Sequence, residues 1–379
     1  MDEARLNEVF RWLHQHPELG LEERETTAFI RKILLENGVR LLETGLETGL
    51  IAVLGTGEGP TVALRAEIDA LPICEQTGLD YASRNPGVMH ACGHDFHAAC
   101  MLGATLLLKE REAELPGTVK IVFQPAEEID RGGRAIVATG LLNDVQAFYA
   151  VHTYPWFEVG TLGIKLGPVM ASADRFAIRL TGVGAHAAHP DLSVDVVPAM
   201  AALIQSVQAI VSRTVDRFDN AVVSITRVQT GNTWNIIPEE AVLEGTVRAL
   251  VPSVRDGIQA RLERIVYSTA RAYGCEADFE YQRRANPVIN DEDACERAAA
   301  LAREMDYDIA QQAGTLGAED FSLYLDIAPG AFIRVGTGGG VDAHHAKFTA
   351  DPKALYPAAK YFAALAEAER IRLIMEQGG

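Results

Sequence analysis

The chain is short of positive charge. Its 34 Lys and Arg stand against 52 Asp and Glu, a net charge of −18. A field of that sign repels nucleic acid and anionic membrane surfaces, and the Arg283-Arg284 pair is too short a run to reverse it. No run of 18 or more apolar residues occurs, so nothing in the sequence reads as a membrane span. Cysteine is sparse: Cys74, Cys92, Cys100, Cys275 and Cys295 make an odd set with no Cys-x-x-Cys. That argues against a disulfide framework and for a reducing compartment. The first residues, Met1-Asp2-Glu3-Ala4-Arg5, have no apolar signal core, and a cytoplasmic protein is the expectation. Internal repeats and low-complexity segments are also missing. What is left is an ordinary globular composition over 379 residues, enough for about two domains.

Apolar periodicity divides the chain. Leu6, Val9, Phe10 and Leu13 share one helical face, and Thr26–Asn37 reads as a second helix. Apolar strands follow at 50–54, 61–64, 118–123 and 147–151, with helical patterns at about 98–108 and 136–142. Three of these strands end in polar clusters: Asp69, Glu127-Glu128 and His152. Such β/α alternation predicts a largely parallel sheet with helices on both faces, and ligands bind beyond the carboxyl ends of such strands. Near residue 173 the texture changes to half-exposed alternation at 175–180, 221–228, 241–250 and 276–281, with helices at about 194–213 and 254–273. This predicts an inserted α+β domain, residues 173–285, with a four-stranded antiparallel sheet and two helices. The larger α/β domain then comprises residues 1–172 and 286–379.

Metal-ligand residue types converge on the larger domain. Cys92-Gly93-His94 aims a thiol and an imidazole across one glycine, and Glu127/Glu128, His152 and His344/His345 add carboxylate and imidazole at loop positions. The mixture suits zinc, or manganese if carboxylates and water dominate, and its spare carboxylates point to catalysis rather than to a structural site. Adjacent side chains leaving a strand diverge, so one of Glu127 and Glu128 can bind metal while the other acts as base on water. That is the chemistry of amide hydrolysis. His14, His16, His90 and His97 are read as caps or core histidines, with His97 stabilising the start of a helix. Gly336–Gly340 is read as a flexible turn, since the Lys-Ser/Thr of a phosphate loop is missing.

Eight motifs occur in order: Leu13-His14-Gln15-His16-Pro17-Glu18-Leu19-Gly20, Ile68-Asp69-Ala70-Leu71-Pro72-Ile73, His90-Ala91-Cys92-Gly93-His94-Asp95, Gln124-Pro125-Ala126-Glu127-Glu128, Gly184-Ala185-His186-Ala187-Ala188, Asn235-Ile236-Ile237-Pro238-Glu239, Glu244-Gly245-Thr246-Val247-Arg248 and Glu319-Asp320-Phe321. With them the chain resembles the aminoacylase/carboxypeptidase-type metallo-amidohydrolases, in the branch of bacterial N-acyl-amino-acid deacetylases, hippurate hydrolases and plant auxin-conjugate hydrolases. The resemblance implies a ferredoxin-like lid and dimerisation domain, and one or two divalent ions, Mn2+ or Zn2+, with Co2+ and Ni2+ as further candidates. It implies Cys92, His94, Glu128, His152 and His344 as metal ligands, Glu127 as general base, and Asp69 as the aspartate supporting the centre. His186 matches an oxyanion-stabilising histidine of the smaller domain, and Asn235 and Arg248 match positions that hold the substrate carboxylate.

The implied activity is hydrolysis of N-acyl amino acids, N-acetyl first among them, by a homodimer or higher homo-oligomer acting on a small molecule. A metallo-dipeptidase or carboxypeptidase on the same site, and a non-catalytic metal-binding module, are the alternatives. Two departures matter. Glu67-Ile68-Asp69 stands where much of the superfamily has His-x-Asp, and Ala346 where the branch commonly has proline. Ala171–Phe176 and Thr233-Trp234-Asn235 look like deacetylases of N-acetylated cysteine derivatives, and His344–Lys347 like N-acetyldiaminopimelate deacetylases.

Overall fold

The computed structural model describes residues 1–55, 57–114 and 117–377. In chain order the first elements are α1 (Glu3–Gln15), α2 (Arg24–Glu36), β1 (Arg40–Leu42), β2 (Leu50–Gly55), β3 (Thr61–Glu67), α3 (His94–Glu110), β4 (Thr118–Gln124), α4 (Gly132–Ala138), β5 (Val145–Tyr154), β6 (Thr161–Gly163) and β7 (Gly167–Met170). Next come β8 (Ala173–Thr181), β9 (Ala185–His186), α5 (Val196–Thr214), β10 (Ala221–Thr230), β11 (Ile236–Ile237), β12 (Glu240–Ala249), α6 (Pro252–Ala272) and β13 (Glu276–Ala285). The last are β14 (Val288–Asn290), α7 (Glu292–Glu304), β15 (Asp308–Ala310), α8 (Ser322–Leu325), β16 (Gly330–Gly336) and α9 (Leu355–Gln377).

These elements form two compact units. One comprises Met1–Gly167, Ile289–Ala313 and Asp320–Gly379, the other Pro168–Val288 with Gly314–Glu319. The chain therefore crosses between units a few residues from the texture changes at 172/173 and 285/286, and it re-enters the second unit once more at Gly314.

The first unit is built on an eight-stranded sheet of order β1-β2-β4-β3-β5-β16-β6-β15. Strands β3, β4, β5 and β16 run parallel to their neighbours within that run, while β1–β2, β2–β4 and β16–β6 are antiparallel. Every residue of β2, β3, β4 and β16 is buried, as expected of strands covered on both faces. Val62, Leu64 and Ala66 join a core shared with α1, α3 and α9. Arg65 alternates to the opposite face, where its guanidinium lies 5.9 Å from the Tyr324 ring of α8. Helix α3 is buried almost all round from His94 to Leu106, so its first turn sits in the interior.

The second unit has an antiparallel sheet of order β10-β12-β8-β13. Phe176, Ile178 and Leu180 of β8 and Leu243 and Val247 of β12 pack beneath α5 and α6. The connection β8-α5-β10-β12-α6-β13 with that strand order is the split βαβ arrangement of ferredoxin-like folds. Helix α5 is long and apolar enough to cross a membrane by length and composition alone. Its Val196, Ala199, Met200, Leu203, Val207 and Ile210 are buried in this unit's core.

Three local readings change. The short helix after Glu128 is Gly132–Ala138 rather than 136–142. Strand β5 runs on to Tyr154, because β16 pairs along it as far as Gly336↔Tyr154, so His152 lies inside the strand. Gly336–Gly340 is not a loose turn: Thr337 N–H donates to Tyr154 O, Gly338 N–H to Phe157 O and Gly340 N–H to Pro155 O.

His14 shows how α1 is fastened to the start of α3. Its Nδ1 lies 2.6 Å from Asp95 Oδ2 and its Nε2 3.2 Å from Glu75 Oε1, all three buried. Burial alone would lower the imidazole pKa, but the hydrogen bonds and charges of Asp95 and Glu75 outweigh it and raise it to about 10. The folded chain then keeps a proton that the unfolded chain releases near pH 6.5, so this contribution is complete below that pH and is lost as pH rises toward about 10. Urea midpoints measured from pH 6 to pH 10 should fall with pH, and His14→Gln should flatten that dependence. An unchanged slope in the variant would rule out His14 as its source.

Candidate metal centre

The side chains that sequence patterning assigned to the larger domain come together at the carboxyl-terminal ends of β3, β4 and β5, with His152 still inside β5. Cys92, His94 and His152 offer ligand atoms that all lie within 4.8 Å of one another, and so do Cys92, Glu128 and His344, and His94, Glu127 and Glu128. Cys92 Sγ is 3.6 Å from His152 Nε2. The three groups overlap through Cys92, His94 and Glu128, so the seven expected residues of this unit, Asp69 included, make one cluster.

Each ring is oriented by its outer nitrogen. His94 Nδ1 donates to Asp69, 3.0 Å from Oδ1 and 2.9 Å from the carbonyl oxygen. His152 Nδ1 donates to Thr153 O at 2.8 Å. Both bonds leave Nε2 as the unprotonated nitrogen of the neutral ring, the usual arrangement behind a metal-binding imidazole. Asp69 is fully buried, and its Oδ2 accepts from Glu128 N–H at 3.0 Å. Burial alone would push its carboxyl up; the His94 and Glu128 bonds hold it below the ordinary value. His344 is half exposed, sits at φ 65° and is anchored by its own N–H to Ala91 O at 2.7 Å. Its Nε2 is 3.2 Å from Glu128 Oε1, and that carboxylate raises the imidazole pKa.

Glu127 and Glu128 do not diverge from a strand. Strand β4 ends at Gln124, Ala126 takes a positive φ of 50°, and the two glutamates open a turn in which Asp130 N–H donates to Glu127 O. The turn lets both carboxylates reach the same cluster. It is capped by a residue that the sequence did not single out, the buried Glu23, whose Oε1 accepts from Ala126 N–H at 2.7 Å.

A thiolate, imidazoles and carboxylates within this spacing fit a divalent ion, with soft and hard donors together. Glu67, His94 and His97 also approach within 4.8 Å. Glu67 and His97 are spent otherwise: His97 Nδ1 donates to Glu67 Oε2 at 2.8 Å, and Glu67 also pairs with Arg65. The glutamate that replaces a superfamily histidine is thus a structural anion. His97, read as a helix-start residue, instead links strand β3 to strand β5.

The remaining expected residues belong to the second unit. His186 on β9 pairs with Ile236 of β11, next to Asn235. Its Nδ1 accepts from Ala188 N–H at 3.1 Å, which leaves Nε2 to carry the proton of the neutral ring, outward as a donor. Asn235 Oδ1 accepts from Thr233 Oγ1 at 3.0 Å. Arg248, on β12, is half buried and makes no ion pair among the described residues; burial and the nearby Arg284 lower its pKa.

Residues 63–368 match the family model described as Peptidase family M20/M25/M40. The chain belongs to this family. It is 45% identical over 365 residues to an N-acetylcysteine deacetylase of Bacillus subtilis (strain 168), covering 96% of each chain. It is 35% identical to an IAA-amino acid hydrolase of Arabidopsis thaliana, over 88% of this chain and 79% of that one. A solved structure of a dinuclear metal-binding peptidase of the same family from Bacillus subtilis superposes with a TM-score of 0.89 at 42% identity, over 97% of this chain and 98% of that chain. Membership of the family makes the chain an amide-bond hydrolase, and the dinuclear relative of the same family supports divalent metal as its cofactor.

Gly93 is where this geometry is least forgiving. It takes φ 81° between Cys92 and His94, and a Cβ there would lie 2.9 Å from Thr153 Cγ2. Gly93→Ala should therefore cost at least about 1–2 kcal/mol from the left-handed backbone alone and weaken metal binding with it. Denaturant midpoints with and without added metal would measure both effects, and wild-type values in the variant would contradict the strain.

Proposed function

We propose that this protein hydrolyses the amide bond of N-acyl amino acids, N-acetyl derivatives first among them, to a carboxylate and a free amino acid. The observation that carries this reading is that Glu127 and Glu128 reach one cluster with His94 beside the Cys92–His152 pair, so one carboxylate is left over once a ligand set is filled. In this reading Cys92, His94, Glu128, His152 and His344 hold one or two divalent ions, Mn2+ or Zn2+, with Co2+ and Ni2+ able to substitute. A bound ion would acidify water and polarise the acyl carbonyl.

The chain's own residues do the rest. Glu127 takes the proton of the attacking water and returns it to the departing amine. Asp69 keeps His94 in its ligand tautomer. His186 donates from Nε2 to the developing oxyanion, and Arg248 with Asn235 grips the α-carboxylate, a bidentate match for a guanidinium. The second unit acts as the lid and forms the homodimer. A preference for N-acetylated cysteine follows from the deacetylase relative, 45% identical over 96% of this chain. Five unpaired cysteines fit a reducing compartment, the cytoplasm.

The test is amine release from a panel of N-acyl amino acids and dipeptides with Mn2+, Zn2+ and Co2+. N-acetyl amino acids should be cleaved, and dialysis against chelator should abolish turnover until metal is returned. Glu127→Gln should lower kcat by about 10²–10⁴-fold while metal stays bound. Near-wild-type turnover in that variant would reject Glu127 as the base, and a preference for dipeptides would turn the assignment to a dipeptidase. Arg248→Ala should raise KM more than it lowers kcat for substrates with a free α-carboxylate; an equal effect on a decarboxylated amide would reject the clamp.

A further inference from the structure

Behind the proposed ligands lies a buried chain of polar contacts that the hydrolytic mechanism does not use. Arg65, Glu67 and His97 are fully buried and Thr153 nearly so. Arg65 pairs with Glu67, and Glu67 Oε2 receives His97 Nδ1–H at 2.8 Å. The other ring nitrogen, His97 Nε2, accepts the backbone N–H of Thr153 at 2.7 Å. With one nitrogen donating to a carboxylate and the other accepting from an amide, the ring is the neutral Nδ1–H tautomer. It also lies against His152, with ring centroids 4.6 Å apart.

Thr153 is the point where this chain meets the metal centre. Its carbonyl accepts His152 Nδ1–H at 2.8 Å, and its hydroxyl donates to Cys92 O at 3.1 Å. The same residue fills the space that Gly93 leaves by having no Cβ. One residue, Thr153, therefore fixes the tautomer of His152 through its carbonyl and the carbonyl of Cys92 through its hydroxyl, and the side chains of His152 and Cys92 stand 3.6 Å apart. The N–H of Thr153 is held in turn by the His97 ring.

We propose that His97, fixed by Glu67, is a positioning residue for the metal centre: acting through Thr153, it sets the spacing and orientation of the Cys92 thiolate and the His152 imidazole. This rests on the reading of Cys92 and His152 as ligands. It also accounts for Glu67, which stands where the wider superfamily has a histidine: in this chain that position anchors a histidine of the next helix.

The test compares wild type with His97→Asn, Thr153→Val, Thr153→Ser and Cys92→Ser. Asn keeps a donor for Glu67 but cannot reach Thr153 N–H; Val keeps the size of Thr153 and loses its hydroxyl; Ser restores that hydroxyl. Metal affinity is read by competition with a chromophoric chelator, and the Cys92 bond by the thiolate-to-metal charge-transfer band of the Co2+-loaded protein. His97→Asn and Thr153→Val should bind metal about 10–100-fold more weakly, the usual cost of losing an outer partner, with a shifted or weakened band, and Thr153→Ser should recover both. Circular dichroism of the metal-free variants should match wild type, which separates positioning from unfolding. Wild-type affinity and an unaltered band in folded His97→Asn would overturn the inference, and the same result in Thr153→Val would overturn its arm to Cys92; should His97→Asn not fold, His97→Gln, whose single amide cannot bridge Glu67 and Thr153 together, is read in its place. Cys92→Ser should lose the band outright. A band that survives Cys92→Ser would instead defeat the ligand reading, whatever the His97 variant does.

Discussion

A positive charge buried inside a β-strand is the constraint on which the larger unit depends. Arg65 sits in the middle of a parallel sheet with none of its side chain exposed, a placement that costs several kcal/mol unless every donor is met. It is met by Glu67 on the same strand, by Gln124 Oε1 at 2.9 Å at the end of β4, and by Asp320 at 2.5 Å. Asp320 in turn accepts from Gln124 Nε2 and from Gly133 N–H. The guanidinium thus ties together the carboxyl ends of β3 and β4, the turn after Glu128 and the segment before α8. Asp69 follows Glu67 by two residues, and Glu127 follows Gln124 by three. The ends of these strands cannot drift apart without stranding a charge.

From that framework outward, the proposed ligands are held by residues that are not themselves proposed as ligands. Asp69 and Thr153 orient the two imidazoles, Glu23 holds the turn of the glutamates, and Ala91 O receives the N–H of His344. The centre is buried on one side, where Asp69, His94 and His97 have almost no exposure, and exposed on the side of His344. This asymmetry suits a hydrolytic centre: the water and the acyl group must enter from one direction while the donors stay in register.

Much of this was legible from residue pattern alone. Apolar strands that each end in a metal-ligand type announced both the parallel sheet and the location of the centre, and half-exposed alternation after residue 173 announced an antiparallel sheet with two helices. What was not legible depended on contacts between distant residues. His97 lies three residues after His94, which suggested a helix-start role, but its partners Glu67 and Thr153 come from two other strands. His152 looked like a strand terminus because the apolar run ends there; the partner strand β16 carries the pairing on to Tyr154. The glutamate pair looked divergent because a strand was extrapolated through Ala126, whose positive φ turns the chain instead. One signal was available and unused: Arg65 and Glu67 interrupt an otherwise apolar strand, and charges buried in a strand require partners.

The order of segments along the chain has a consequence for assembly. Strand β5, which carries His152, completes its pairing only with β16, and His344 comes later still, with the whole second unit encoded in between. During synthesis Asp69, Cys92, His94, the two glutamates and His152 emerge early, but β5 waits for its partner on one side. Parallel pairing across such a separation is intrinsically slow. The second unit, whose contacts are closer in sequence, can fold first and hold the two halves of the larger unit near each other. His344 is thus the last member of the cluster to be made, after both halves of the sheet that carries the others.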